Sequence, residues 1–366
     1  MFGRYLFYLK KIDWLIVSLV ILLVSIGLLS IYSTSYNTAG QDTSVFVKQL
    51  VFVLVGLVAM FGISFIDFRF FRAYGTVILL VGLGLLLLVL FVGTEIRGTK
   101  GWIFMGSYGI QPVEFVKMFF IISLARYFSR HGKDIHNPKH IIISGGITIV
   151  FLVLIMFQPD FGSAIIYFLI WIGLLFLLNI KRSYLITLLV IISLVATAGW
   201  VFGLKDYQKE RIGTFLNPSQ DSLKTGYNIT QSIVAVGSGN LWGRGMGLGP
   251  QSQLKFLPEQ QTDFIYAVVA EELGLVGAVL VLAFFIVLFI RLINVARKSR
   301  DDFSLFVISG VIIMIFLQMF INIGMNIGLV PVVGIPLPFV SAGGSSLVAS
   351  FIAIGVVQGV IVHRKT

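Results

Sequence analysis

Ten runs of apolar residues, each about the length a helix needs to cross a bilayer, dominate the chain. They cover 12–34, 46–66, 74–92, 112–128, 141–157, 161–178, 184–202, 264–293, 303–330 and 339–362. Each run is apolar all round, whereas the strands of a barrel with a polar lumen would alternate, so helices are the expected form. Composition agrees: 57% of the 366 residues are hydrophobic and 12% are charged, about half the charge of a soluble domain. The predicted fold is an all-α membrane protein, a polytopic bundle of ten transmembrane helices forming a single domain over 1–366. The first run is too long for a cleaved signal peptide, and no small-residue cleavage site follows it. With no cysteine in the chain, disulfides and Cys-ligated metals are excluded. The net charge of +11 does not mark a nucleic-acid partner, because a chain this apolar cannot cover a soluble globule.

The positive charges orient the bundle, since cytoplasmic loops are enriched in Lys and Arg. With the N-terminus inside, the inner segments hold 17 of them, and the short outer loops hold three: Lys48, Arg97 and Lys100. The reverse orientation puts the 17 outside. Both termini are therefore expected in the cytoplasm. His131, His136, His140 and His363 all fall on the inner side, the first three in what reads as a solvated loop rather than a metal site. An outer-face base must then be a carboxylate.

One connection breaks the short-loop rhythm. Residues 203–262 form a long extracytoplasmic loop between the seventh and eighth runs, polar and Gly-rich, with six glycines between 237 and 249. Loops of this length are usually functional or disordered. Its segments 226–236 and 254–257 are apolar enough to dip back toward the membrane. The glycines read either as plain flexibility or, with Arg244, as a cradle of backbone amides for an anionic group. Gly343-Gly-Ser-Ser346 reads as a site of close helix packing.

Ionisable side chains within spans are costly and mark function by default. Glu114 and Lys117 lie in Gln111-Pro-Val-Glu-Phe-Val-Lys117, three residues apart on one helix face at the outer end of the fourth run. Asp160 sits in the outer turn between the fifth and sixth runs, and Asp263 where the long loop enters the eighth. Glu271 and Glu272 follow about two turns deeper and read as packing or network residues. Glu114 and Lys117 equally fit an ion pair clamping helices, and Asp263 a first-turn acid facing its helix dipole. Against the latter, Ala267, Ala270 and Gly274 fall near the stripe below Asp263, leaving room for a neighbouring helix or a ligand. All these charges crowd the outer half, with Arg97 and Lys100 nearby, as a site open to the outer leaflet requires.

ATP and nucleotide sugars are cytoplasmic, so outer-face chemistry needs a substrate activated otherwise. A lipid-linked diphosphate meets that need. Lys117, Arg97, Lys100, Arg211, Arg244 and Lys255 are the candidates for stabilising the departing diphosphate, and a carboxylate such as Asp263 for deprotonating a sugar hydroxyl.

The chain resembles the SEDS family (shape, elongation, division and sporulation) along nearly its whole length. The resemblance rests on Gln158-Pro-Asp-Phe-Gly-Ser-Ala164, Tyr227-Asn to Gln231-Ser-Ile, and Phe256-Leu-Pro-Glu-Gln-Gln-Thr-Asp-Phe264. It continues through Glu271-Glu-Leu-Gly274 and Gly334-Ile-Pro-Leu-Pro-Phe-Val-Ser-Ala-Gly-Gly-Ser-Ser346. Gln251-Ser-Gln-Leu before Phe256, with the short N-terminal tail, looks more like the RodA branch than FtsW or SpoVE. The resemblance implies a peptidoglycan glycosyltransferase of the bacterial cytoplasmic (inner) membrane. Such an enzyme polymerises lipid II into β-1,4 glycan strands for cell elongation and shape. By the same resemblance, Asp263 matches the essential loop aspartate, Glu114, Lys117 and Asp160 the intramembrane charges, and Trp102 the outer-loop tryptophan. Gly101 departs from the usual arginine and Val113 from the usual serine, which shifts an anion contact toward Lys100 or Arg97. The implied partners are lipid II, the undecaprenyl diphosphate-linked strand and a class B penicillin-binding protein. No cofactor is evident, and the carboxylates leave room for a divalent cation. A lipid II flippase, a division or sporulation paralogue with the same chemistry, and a non-catalytic scaffold are the competing readings.

Overall fold

Apolar continuity translates into helices along most of the chain. The computed structural model describes residues 9–36, 43–96, 98–106, 108–132, 137–178, 225–254 and 256–364, with isolated positions between 181 and 215. The run at 184–202, most of the first half of the long loop, and Arg97, Arg211 and Lys255 lie outside the described residues. The helices are α1 (Trp14–Tyr36), α2 (Ser44–Ser64), α3 (Phe68–Val92), α4 (Pro112–His131), α5 (Pro138–Met156), α6 (Phe161–Leu177), α7 (Thr225–Ser238), α8 (Pro250–Gln253), α9 (Ile265–Arg297), α10 (Asp302–Asn326) and α11 (Gly344–His363). Seven of them, α1, α2, α3, α5, α9, α10 and α11, are long and apolar enough to cross a membrane. The chain is thus a mostly helical integral membrane protein. Large side chains such as Val58, Phe91 and Ile142 stand exposed on the outside of the bundle, where hydrocarbon rather than water is the matching solvent.

The most polar long helix is the central one. Helix α4 carries Glu114, Lys117, Arg126 and Arg130, yet it packs against α3, α5, α6, α10 and α11. Glu114 and Lys117 are tolerated because protein, not lipid, surrounds them, whereas Arg126 and Arg130 sit toward the other end of the helix and are less buried. Helices α2 and α11 make the most extensive pairing. There Gly355 faces the α2 backbone so closely that a Cβ would lie 2.7 Å from the Met60 carbonyl oxygen, the small-residue contact that drives helix association in lipid. At the end of the bundle where α1 begins, Arg291 donates to Asp13 Oδ2 at 2.7 Å, and Gln358 brackets the Asp13 main chain at 3.0 Å on both sides. This knot ties α9 and α11 to the start of α1.

Three features depart from the all-helical expectation. The connection between α3 and α4 folds as an antiparallel sheet of β1 (Thr94–Ile96), β2 (Thr99–Met105) and β3 (Tyr108–Ile110). Its turns pass through Gly98 and Gly106 at positive φ, which suits tight reversals. The long loop, in its described part, is no plain loop: α7 packs along α9. Finally, α9 is broken at Gly274, with φ 66 and ψ −164, a conformation essentially reserved for glycine. The apolar run at 264–293 therefore makes two half-helices rather than one rod.

Candidate functional site

The break in α9 explains the glycine-rich segment. A broken helix frees backbone groups that cannot stay unpaired away from water. Here the loop supplies the partners. Arg244 N–H donates to the Glu271 carbonyl at 2.9 Å and Gly245 N–H to that of Glu272 at 3.0 Å. Leu275 and Val276 N–H donate in turn to the Asn240 and Leu241 carbonyls, at 2.9 and 3.2 Å. The side chains complete the seam. Glu271 accepts from Gln251 and Ser252 N–H, and Glu272 from Ser33 Oγ, Gly247 N–H and Gln253 Nε2. Both carboxylates are buried and act as network residues. The anion cradled by the loop amide at Gly247 is thus the chain's own Glu272. The stripe below Asp263, expected to leave room for a neighbouring helix or a ligand, is filled at Gly274 by this loop.

The helix starts of α4, α6, α9 and α11 gather at one end of the bundle around a cavity of about 1030 Å³. Asp160, Asp263, Lys100 and Trp102 line it, with Glu95, Gln111, Thr262 and Gly334. Four sequence-predicted residues are therefore brought together. Asp160 is the N-cap of α6: it accepts from Ser163 N–H at 2.9 Å and from Ser163 Oγ at 2.7 Å, and Gln111 Nε2 reaches it at 3.3 Å. Lys100 and Trp102 come from β2, whose Lys100 N–H donates to the Gln158 carbonyl at 3.1 Å. Among the described lining residues Lys100 carries the positive charge.

Asp263 sits in a tight turn. The Glu259 carbonyl, at φ 53, accepts from Thr262, Asp263 and Phe264 N–H. Ser341 Oγ donates to the Thr262 carbonyl at 2.6 Å, and Ala342 N–H to that of Gln261 at 2.8 Å. Gln261 Nε2 also reaches Thr34 and Ser35 on α1. The Asp263 carbonyl accepts from two buried amides of α10, Asn322 Nδ2 at 3.0 Å and Asn326 Nδ2 at 2.9 Å. Sequence reasoning missed Asn322 and Asn326 because it sought ionisable groups; their signal was amides one helical turn apart in an apolar run.

Glu114, Lys117 and Arg244 do not line the cavity. Lys117 Nζ lies 2.6 Å from Glu114 Oε1, with both side chains almost wholly buried. Arg244 is exposed on the loop that seals α9. Among the described residues no cluster of three or more His, Asp and Glu side chains is placed to hold a metal ion.

Comparison with known proteins places this geometry. The family model described as cell cycle protein (FtsW, RodA, SpoVE) matches residues 13–366. Stage V sporulation protein E of Bacillus subtilis is 39% identical over 360 residues, 95% of this chain and 96% of the relative. The peptidoglycan glycosyltransferase MrdB of Escherichia coli is 35% identical over 364 residues, 97% of each chain. A solved chain from a peptidoglycan synthase complex that coordinates polymerization and crosslinking superposes with a TM-score of 0.82 at 30% identity, over 96% of this chain and 97% of that one.

Proposed function

This chain belongs to the FtsW/RodA/SpoVE family of cell cycle proteins, and from that premise we propose how its cavity performs glycosyl transfer. The activity is that of a peptidoglycan glycosyltransferase: lipid II is polymerised into glycan strands at the membrane. In our reading, the donor is the growing strand on undecaprenyl diphosphate and the acceptor is the 4-hydroxyl of the GlcNAc of lipid II. The hydroxyl oxygen bonds to the anomeric carbon as its proton passes to the Asp263 carboxylate. The bond from anomeric carbon to phosphate oxygen breaks, the diphosphate leaves with its electron pair, and the new β-1,4 link forms with inversion.

The observation that carries this reading is the meeting of Asp263, Asp160 and Lys100 on one cavity. Lys100 supplies charge to the departing diphosphate. Trp102, half-buried beside it, offers a flat apolar face to a sugar or to the start of a prenyl chain. Glu114 and Lys117 act from behind, holding the start of α4 and with it Gln111. Opening of the cavity to the outer face of the cytoplasmic membrane, with both termini inside, rests on the distribution of Lys and Arg. A class B penicillin-binding protein is the proposed partner, in line with the synthase complex from which the solved relative comes. Likeness to a stage V sporulation protein stands beside likeness to MrdB, so the assignment is to their shared chemistry rather than to the RodA branch.

The test is polymerisation of labelled lipid II by the purified protein. Glycan chains should form, and Asp263→Ala should abolish them while the protein remains folded. Normal polymerisation by Asp263→Ala would falsify the proposed base.

A further inference from the structure

Asn322 and Asn326 lie one turn apart near the outer end of α10, in the middle of an otherwise apolar run, and both are fully buried. Burying an amide costs free energy unless its donors and acceptor are matched. Here they are matched to particular neighbours. Asn322 Nδ2 donates to the Asp263 carbonyl at 3.0 Å and to the Ile335 carbonyl at 2.8 Å. Asn326 Nδ2 donates to the Asp263 carbonyl at 2.9 Å and to the Asn322 carbonyl at 2.8 Å, while its Oδ1 accepts from Ala267 N–H at 3.0 Å. The two side chains thus bind the turn that carries Asp263, the first turn of α9 and the 331–337 wall of the cavity into one unit.

The Asp263 carbonyl is the point of convergence. Two donors on one carbonyl fix the peptide plane after Asp263, and with it the Cα–Cβ direction of the carboxylate. On the far side stands Gly334, at φ 72, where a Cβ would come 3.6 Å from Asp263 Oδ2. We propose that Asn322 and Asn326 are positioning residues for glycosyl transfer, which hold the main chain of Asp263 so that its carboxylate meets the acceptor hydroxyl. This rests on the reading of Asp263 as the base. A misplacement of about 1 Å in such a group costs about 100-fold in rate, without weakening the hold on a substrate bound by other residues.

The experiment compares Asn322→Leu, Asn326→Leu and Asn326→Asp with the parent chain in steady-state polymerisation of labelled lipid II. Folding is checked by size exclusion and thermal melting in the same detergent. Asn326→Asp keeps the acceptor that serves Ala267 N–H and, once its carboxyl is ionised, offers no donor to Asp263, so it preserves the helix start where a Leu variant fails to fold and is read across a pH series. The expected result is a fall in kcat of about 100-fold with KM changed less than about twofold. Unchanged kcat in folded Asn326→Asp, or a loss appearing wholly in KM, overturns the proposal. Asp263→Ala is run alongside: if it polymerises normally, the base assignment itself fails, an outcome distinct from a dead Asp263→Ala beside fully active Asn variants.

Discussion

Lys117 Nζ donates to Glu114 Oε1 at 2.6 Å across one turn of α4, with neither side chain open to the cavity or to lipid. Removing one partner leaves a lone charge in the centre of the bundle. Glu114→Leu or Lys117→Met alone should therefore lower stability by about 3–5 kcal/mol, whereas the two together should recover most of it. Chemical denaturation in detergent, run as a double-mutant cycle, measures this. Losses that simply add would show that the pair is not coupled.

Gly274 tests the seam between α9 and the glycine-rich segment. At φ 66 and ψ −164, any side chain is strained by about 1–3 kcal/mol. A Cβ there would also strike the backbone of Leu241 and Gly243. Gly274→Ala should loosen the backbone of the 239–247 segment and speed tryptic cleavage after Arg244, since locally opened segments are cleaved first. Limited proteolysis followed by mass mapping reads this out. A cleavage pattern identical to that of the parent would mean that the break tolerates a side chain.

Much of this fold was legible because membrane helices announce themselves by length and hydropathy. The apolar runs at 141–157 and 161–178 match α5 and α6 to within three residues at each end. What escaped has a physical reason in each case. The strands at 94–110 are too short for a periodic signal, and their pairing depends on glycine turns. Gly274 looks like a packing glycine within a continuous apolar run, and nothing local tells that loop backbone replaces the missing helix bonds. Asp160, Asp263, Lys100 and Trp102, which line the cavity, stood out in the sequence because charge near a span end is costly or because the family resemblance pointed to them. Arg244 stands apart from the cavity because its loop is held against the break in α9, which only the fold reveals.

Lys100 gives a prediction on catalytic efficiency. It is half-buried on β2 and lines the cavity together with Asp160 and Asp263. A hydrogen bond to a charged group is worth about 1.5–3 kcal/mol, so Lys100→Met should lower kcat/KM for a diphosphate-linked substrate by about tenfold or more. Steady-state kinetics across a salt series provides the control. Salt should lower the kcat/KM of the parent more than that of the variant, because screening acts only on the charge that remains. Equal salt responses would remove Lys100 from contact with the diphosphate.

Asp160 combines two roles that one substitution separates. Its Oδ1 accepts from Ser163 N–H at 2.9 Å and so starts α6, while Oδ2 takes Ser163 Oγ and Gln111 Nε2. Asparagine caps a helix about as well as aspartate, so Asp160→Asn should leave α6 intact and change stability by less than about 1 kcal/mol. It also removes the charge that Asp160 presents to the cavity, and polymerisation should fall by at least about tenfold, a loss in the range of one acid or base contribution. Paired melting and activity measurements decide the matter. A stable and fully active Asp160→Asn would reduce the residue to a helix cap, and a melting temperature that falls with the activity would place its contribution in the fold rather than in the chemistry.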